Sequence, residues 1–258
     1  MSTNIISSAV IIGAGIFGVS TGLQLARRGV QVTIINDGPP ANGASGRSLS
    51  WLNSARMRSE PYHLLRMAGI DRYRTLAAQY PNADWLRFEG GLTWDAEGER
   101  NEIARAYDYE QSIGYDAKHL GSDDVANATP GVDPGAVTAP GAIFNPGEGW
   151  VDLPRLIAHL LQEFTALGGV LVTDQGKARV VIENGHAVGV ETTSGSRFSA
   201  DAVVLATGPD VPKMAADSGV TIGDDTPVAL LVQTKPLAHP LRAVLNTPRV
   251  AVRPASGG

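Results

Sequence analysis

The first apolar run, Ala9 to Ile12, is too short for anything but a buried strand, and the pattern changes immediately after it. From Ile16 the spacing becomes helical: Val19, Leu23 and Ala26 fall on one face, and "RRG" (Arg27, Arg28, Gly29) closes the turn. Val30 to Ile35, "VQVTII", is then a second strand rich in β-branched residues. Strand, turn, helix and strand follow one another at the length of a βαβ crossover.

Beyond a Pro/Gly/Ser-rich turn, "DGPPANGASGRS", the period predicts a helix over Tyr62 to Ala78 and two short strands in Leu86 to Asp95 around a turn at Gly90 and Gly91. A polar amphipathic helix is expected over Glu99 to Ser112. The clearest helix lies in "GWVDLPRLIAHLLQEFTALGG". Asp152 suits its cap, Pro154 its first turn and Gly168 its end, while Leu153, Leu156, Ile157, Leu160, Leu161, Phe164 and Leu167 share one face. His159 falls outside that stripe and reads as a solvated residue. "GVLV" is a strand, Asn184-Gly185 a hairpin turn, and "ADAVVLATG" a buried strand leading to Thr207 and Gly208.

The glycines between the first strand and helix carry the first chemistry. Gly13, Gly15 and Gly18 form G-x-G-x-x-G in a strand–helix–strand frame, the arrangement that binds a dinucleotide. Gly13 permits the tight turn, Gly15 lets the backbone approach a pyrophosphate, and Gly18 allows close packing of helix and strand. The helix N-terminus offers N–H groups and a positive dipole end to phosphate. An acid is expected at the end of the second strand to meet the ribose hydroxyls, yet Asn36 stands there, with Asp37 one residue on. Either Asn36 accepts the bond without charge assistance, or the strand end shifts and Asp37 accepts it. No arginine is present there to receive a 2′-phosphate, which disfavours NADP.

The order of elements has a consequence for architecture. A βαβ nucleotide unit opens the chain, an unlike segment intervenes, and a helix, strand, hairpin and strand then return to the first sheet. The expected fold is α/β, with a discontinuous Rossmann-like nucleotide-binding domain (1–80 and 146–215) and an inserted α+β domain (81–145 and 216–258). No internal repeat or low-complexity tract is evident.

Composition narrows the classes. The 258 residues are 43% hydrophobic and 18% charged, with a net charge of -5, so no basic footprint for nucleic acid is present. The absence of cysteine excludes disulfides, thiolate catalysis, iron–sulfur clusters and cysteine-based zinc sites, and fits a reducing cytoplasm. No metal site is expected. No charged side chain precedes Arg27, but "MSTNIISS" lacks the basic start of a signal peptide. The apolar stretch that follows is broken by serines, a threonine, a glutamine and four glycines, so no transmembrane segment is expected. The small residues Ala44, Ser45, Gly46 and Ser48 suit either close backbone approach to a ligand or a flexible surface loop. Arg56, Arg58 and His63 read as surface groups at a helix start, and Arg249 and Arg253 as exposed strand arginines.

"VIIGAGIFGVSTGLQLARRGVQVTII", "GASGRSLSWLN", "PGEGWVDLPRLIAHLL", "ADAVVLATG" and "VAVRPASGG", in that order over essentially the whole chain, resemble the glycine oxidase/D-amino-acid oxidase family. The resemblance implies FAD as cofactor and an amino acid or related small-molecule amine as substrate, its C–N bond oxidised to an imine. It implies pyrophosphate binding by Gly13, Ala14, Gly15, Ile16, Phe17 and Gly18, and a ribose contact at Asn36 or Asp37. Ser45, Gly46, Arg47, Ser48 and Ser50 would approach the flavin, Val180 would meet the adenine through its backbone, and Thr207 and Gly208 would lie near the phosphates. The inserted domain would be the substrate domain. No catalytic side chain is implied, since the flavin is the electron sink.

Three departures accompany the resemblance. The family usually has an acid where Asn36 stands and often a glycine where Ser50 stands. The chain also ends at "RPASGG", where the family continues into a long C-terminal portion, so the substrate domain is expected to be incomplete. Two alternatives follow: a non-catalytic fragment or subunit completed by a partner chain or a missing C-terminal half, and a nicotinamide-dependent dehydrogenase using the same loop. Which amine and which electron acceptor are used is not written in these residues.

Overall fold

Strand Ser8–Ile12 has Ala202–Leu205 as its parallel neighbour on one side and Gln31–Asn36 on the other, with Val170–Thr173 beyond, in the computed structural model, which describes residues 6–256. All pairings in this sheet are parallel, and helices Ile16–Ala26 and Leu153–Ala166 precede two of its strands. Side chains alternate along a strand, and here both faces are buried. Ile11 and Ile34 meet Val19, Leu23, Ile157 and Phe164 from the two helices. Val10, Ile12 and Ile35 meet Val190 of a three-stranded antiparallel sheet, Ala178–Glu183, His186–Thr192 and Arg197–Ser199. That double burial is why the opening run is apolar without alternation.

The turns obey their residues. Asn184 and Gly185 have φ of +50° and +77°, the positive pair that a type I′ hairpin demands. Gly168, with φ of +87°, follows the end of helix Leu153–Ala166, whose buried face is Leu153, Leu156, Ile157 and Phe164. Leu160 and Leu161 pack against it in part; Leu167 lies past the last turn and is exposed.

These elements make one compact unit, Met1–Ser48 with Leu153–Leu231; Leu49–Asp152 with Val232–Gly258 makes the other. The boundaries differ from those expected. Residues 49–80 join the second unit because strand Trp51–Leu52 pairs with Gly149–Val151, and helix Glu60–Gln79 contacts Leu86–Arg87.

In the second unit a five-stranded sheet runs in the order Ala251–Val252, Val244–Asn246, Gly91–Thr93, Ala142–Asn145, Lys118–Leu120. A three-stranded antiparallel sheet holds Trp51–Leu52, Gly149–Val151 and Leu86–Arg87. The strands flanking Gly90 therefore belong to different sheets instead of forming a hairpin. Gly90 (φ +91°) redirects the chain, its N–H donating to the Glu148 carbonyl, and a Cβ there would lie 2.5 Å from the Phe144 ring. The amphipathic helix starts at Ile103 rather than near Glu99, because the Asp95 carboxylate accepts the Glu102 N–H and Asn101 Oδ1 accepts that of Ile103. Short helices Ser122–Ala128 and Val211–Ala216 carried no sequence signal strong enough to anticipate. Among the described residues no helix is long and apolar enough to cross a membrane.

Candidate dinucleotide-binding site

The loop Gly13–Gly18 is built so tightly that the first and last of its glycines are obligatory. Gly13 takes φ of +111°, and a Cβ on it would stand 2.4 Å from the Ala206 carbonyl oxygen. A Cβ on Gly18 would come within 1.9 Å of the Gly13 oxygen. The close approach made by Gly18 is thus to the loop itself. Gly15 is the residue before the helix; its backbone is extended, and a Cβ would meet Ser45 Oγ at 3.1 Å. The first turn of the helix carries no acid to neutralise its positive end.

Three contacts hold the loop in place. Gly13 N–H donates to the Ile35 carbonyl (2.8 Å), Ile16 N–H to Ser45 Oγ (3.0 Å) and Ala14 N–H to Asn36 Oδ1 (2.9 Å). Ala206 N–H donates to the Ile12 carbonyl, which brings the strand end leading to Thr207 against Gly13. Gly13, Ala14, Ile16, Asn36, Ser45 and Thr207 are therefore assembled around the strand ends, the position at which parallel α/β sheets bind ligands. Phe17 is 80% exposed at the start of the helix. Gly208, with φ of +61°, begins the short turn after the strand.

The other expected residues are placed differently. Asp37 is exposed, its carbonyl accepting from Asn42 Nδ2. Gly46 and Arg47 lie in the short helical turn Ala44–Arg47, where a Cβ on Gly46 would stand 2.3 Å from the Ala41 oxygen. That compactness describes an ordered turn. Ser48 follows it, whereas Ser50 belongs to the second unit, has φ of +51° and accepts the Val151 N–H. Val180 pairs with Val190 in the antiparallel sheet and packs against the core beneath the parallel strands.

The second unit holds a buried acid network that sequence reasoning missed, since an isolated "EG" in "PGEGW" gives no sign of burial. Glu148 has no exposed surface; Oε1 accepts from the Tyr115 hydroxyl (2.6 Å) and Oε2 from Trp51 Nε1 (2.8 Å). Glu110, equally buried, accepts from Arg56 N–H (2.6 Å) and Asn145 Nδ2 (2.7 Å). Burial pushes the Glu148 carboxyl up to about 8, and the nearby Glu110 charge adds to the rise against the opposing bonds from Tyr115 and Trp51. Burial also raises Glu110, and burial with the Glu148 charge raises the Tyr115 phenol.

Four surface assignments are corrected here. His63 is buried, its Nδ1 2.8 Å from Ser54 Oγ and its ring edge-on to Tyr115. Arg56 is half-buried and paired with Asp95 at 3.1 Å, and Arg58 reaches Asn53 Oδ1 at 3.3 Å. Arg253 is half-buried, its guanidinium 5.0 Å from the centre of the Trp150 ring, while Arg249 is exposed. His63, Arg56 and Arg253 are drawn inward by partners far along the chain (Tyr115, Asp95 and Trp150), whereas Arg58 finds Asn53 nearby. No cluster of three metal-ligating side chains occurs among the described residues.

The sequence pattern of the FAD dependent oxidoreductase (DAO) family matches residues 8–258. Glycine oxidase of Geobacillus kaustophilus is 27% identical over 220 residues, which are 82% of this chain and 57% of that protein. A D-amino acid dehydrogenase of Cereibacter sphaeroides is 26% identical, over 92% of this chain and 66% of that protein. The crystal structure of glycine oxidase from Geobacillus kaustophilus superposes with a TM-score of 0.77 at 24% identity, covering 96% of this chain and 68% of that one. The chain thus spans little more than half the length of the glycine oxidase it matches. With a family pattern running from Ser8 onward, and a glycine loop, sheet order and strand-end assembly that agree with it, the chain belongs to the DAO family of FAD-dependent oxidoreductases.

Proposed function

We propose that the first unit binds FAD and that the protein oxidises the C–N bond of an amino acid or related amine to an imine. The observation that carries the reading is the glycine loop, where Gly13 and Gly18 leave no room for side chains and Gly15 little, at the start of a helix whose first turn carries no acid. Such a cradle fits a pyrophosphate. Bound FAD would supply the two-electron acceptor.

Each residue then has a defined task. The Gly13–Gly18 backbone holds the pyrophosphate, and Ser45 fixes the loop by engaging Ile16 N–H. Thr207 and Gly208 border the phosphates, and the Val180 backbone meets the adenine. Gly46, Arg47 and Ser48 line the approach to the flavin ring. The second unit serves as the substrate domain, excluding water and presenting a neutral amine. The cysteine-free composition supports a cytoplasmic setting.

The purified chain is tested by FAD titration, followed by anaerobic addition of glycine, D-amino acids and N-methylated amino acids to the loaded protein. Saturable binding and bleaching of flavin absorbance by one of these amines is the expected result. Binding without bleaching by any amine refutes the proposed reaction, and the absence of binding refutes the proposed cofactor site.

A further inference from the structure

Asn36 occupies the place where a βαβ dinucleotide unit puts an acid for the ribose, but its amide is spent inside the protein. Oδ1 accepts the Ala14 N–H at 2.9 Å. Nδ2 donates to the carbonyls of Gly38 and Pro39, both at 3.0 Å, with Asn42 Oδ1 at 3.5 Å. Asn42 in turn donates to the Asp37 carbonyl at 2.8 Å. One side chain thereby ties the glycine loop to the turn that follows the second strand.

An amide can do this and a carboxylate cannot. The Ala14 N–H needs an acceptor, which either group provides, but the two carbonyls need hydrogens, which an ionised carboxylate lacks. We propose that Asn36 is a positioning residue that sets the glycine loop for the pyrophosphate, and that its neutrality, not a ribose contact, is what the site requires. The asparagine and the Gly38–Asn42 turn form a matched pair: restoring the acid of the family pattern sets an anion against two carbonyl oxygens, breaks both bonds and releases the turn. This inference rests on the FAD reading for its link to cofactor binding.

The test is the Asn36→Asp variant, with Asn36→Ala beside it, in the full chain. Kd for FAD is measured from pH 5.5 to 8, and cofactor-free melting is followed by far-UV circular dichroism over the same range. At pH 8 Asn36→Asp is expected to bind FAD about tenfold to a hundredfold more weakly than the wild type, the scale of one or two uncompensated polar groups. Lowering the pH protonates the new carboxyl, whose pKa is raised by the two facing carbonyls against the opposing bond from the Ala14 N–H, and returns one donor. Binding and melting temperature of Asn36→Asp should therefore both recover on acidification relative to the wild type. Asn36→Ala should be weakened at every pH.

Binding by Asn36→Asp as tight as or tighter than the wild type at pH 8, or a loss that acid does not relieve, overturns the proposal. A wild-type chain that binds no FAD refutes the FAD reading instead. In that case the melting series still decides the positioning role: parallel curves for Asn36→Asp and wild type overturn it, and an acid-relieved loss in Asn36→Asp sustains it.

Discussion

Glu148→Gln should flatten the pH dependence of the second unit's stability. The Glu148 carboxyl is enclosed, its two oxygens facing Tyr115 and Trp51, and among the described residues no arginine forms an ion pair with it. Its pKa is raised from 4.5 to about 8, so the folded state keeps a proton that the unfolded chain releases. Stability from this group is fully present below the ordinary carboxyl range and falls as pH rises, levelling off above pH 8. Each unit is about 1.4 kcal/mol, so the loss between pH 5 and 8 approaches about 4 kcal/mol. Glutamine can mimic the protonated acid, its carbonyl facing the Trp51 N–H and its amide the Tyr115 oxygen. All four tryptophans, Trp51, Trp85, Trp94 and Trp150, lie in the second unit, so urea unfolding followed by intrinsic fluorescence reports on it alone. The wild type should lose more stability than Glu148→Gln from pH 5 to 8, by up to that amount. Glu110 titrates in both proteins, and because its charge adds to the rise of Glu148, the difference between the profiles reports the coupled pair. Parallel profiles would refute the reasoning, showing that Glu148 is ionised in the folded protein at neutral pH.

Two further substitutions probe the first unit. Gly18→Ala places a methyl group within 1.9 Å of the Gly13 carbonyl oxygen and should abolish measurable FAD binding in a titration while leaving tryptophan fluorescence unchanged. Phe164→Ala empties a fully buried site between the parallel sheet and its helices, and should cost about 3–5 kcal/mol in denaturant unfolding followed by far-UV circular dichroism.

The first unit was largely legible because its signals are local. Ile11 and Ile34 are apolar on buried strands, the Asn184-Gly185 pair dictates its own turn, and Gly13, Gly15 and Gly18 announce a loop whose first and last glycines admit no side chain. The second unit hid more. The two short strands on either side of Gly90 were legible, but not their partners, Val151 and Asn145, which lie far along the chain and in different sheets. Likewise His63, Glu110 and Glu148 look like surface residues until Ser54, Asn145 and Trp51 are brought to them. Sequence presented Asn36 as the place of a missing acid and a weaker ribose acceptor. Its role emerges from two carbonyls, Gly38 and Pro39, whose direction no residue pattern records.

The central claim is that Gly13–Gly18 and its supports form an FAD site, and visible spectroscopy of the purified 258-residue chain after FAD addition and gel filtration tests it most directly. The account predicts a protein peak that carries the absorbance of oxidised flavin, lost in Gly18→Ala. A folded wild-type chain that emerges colourless and shows no saturable change on FAD titration would contradict it.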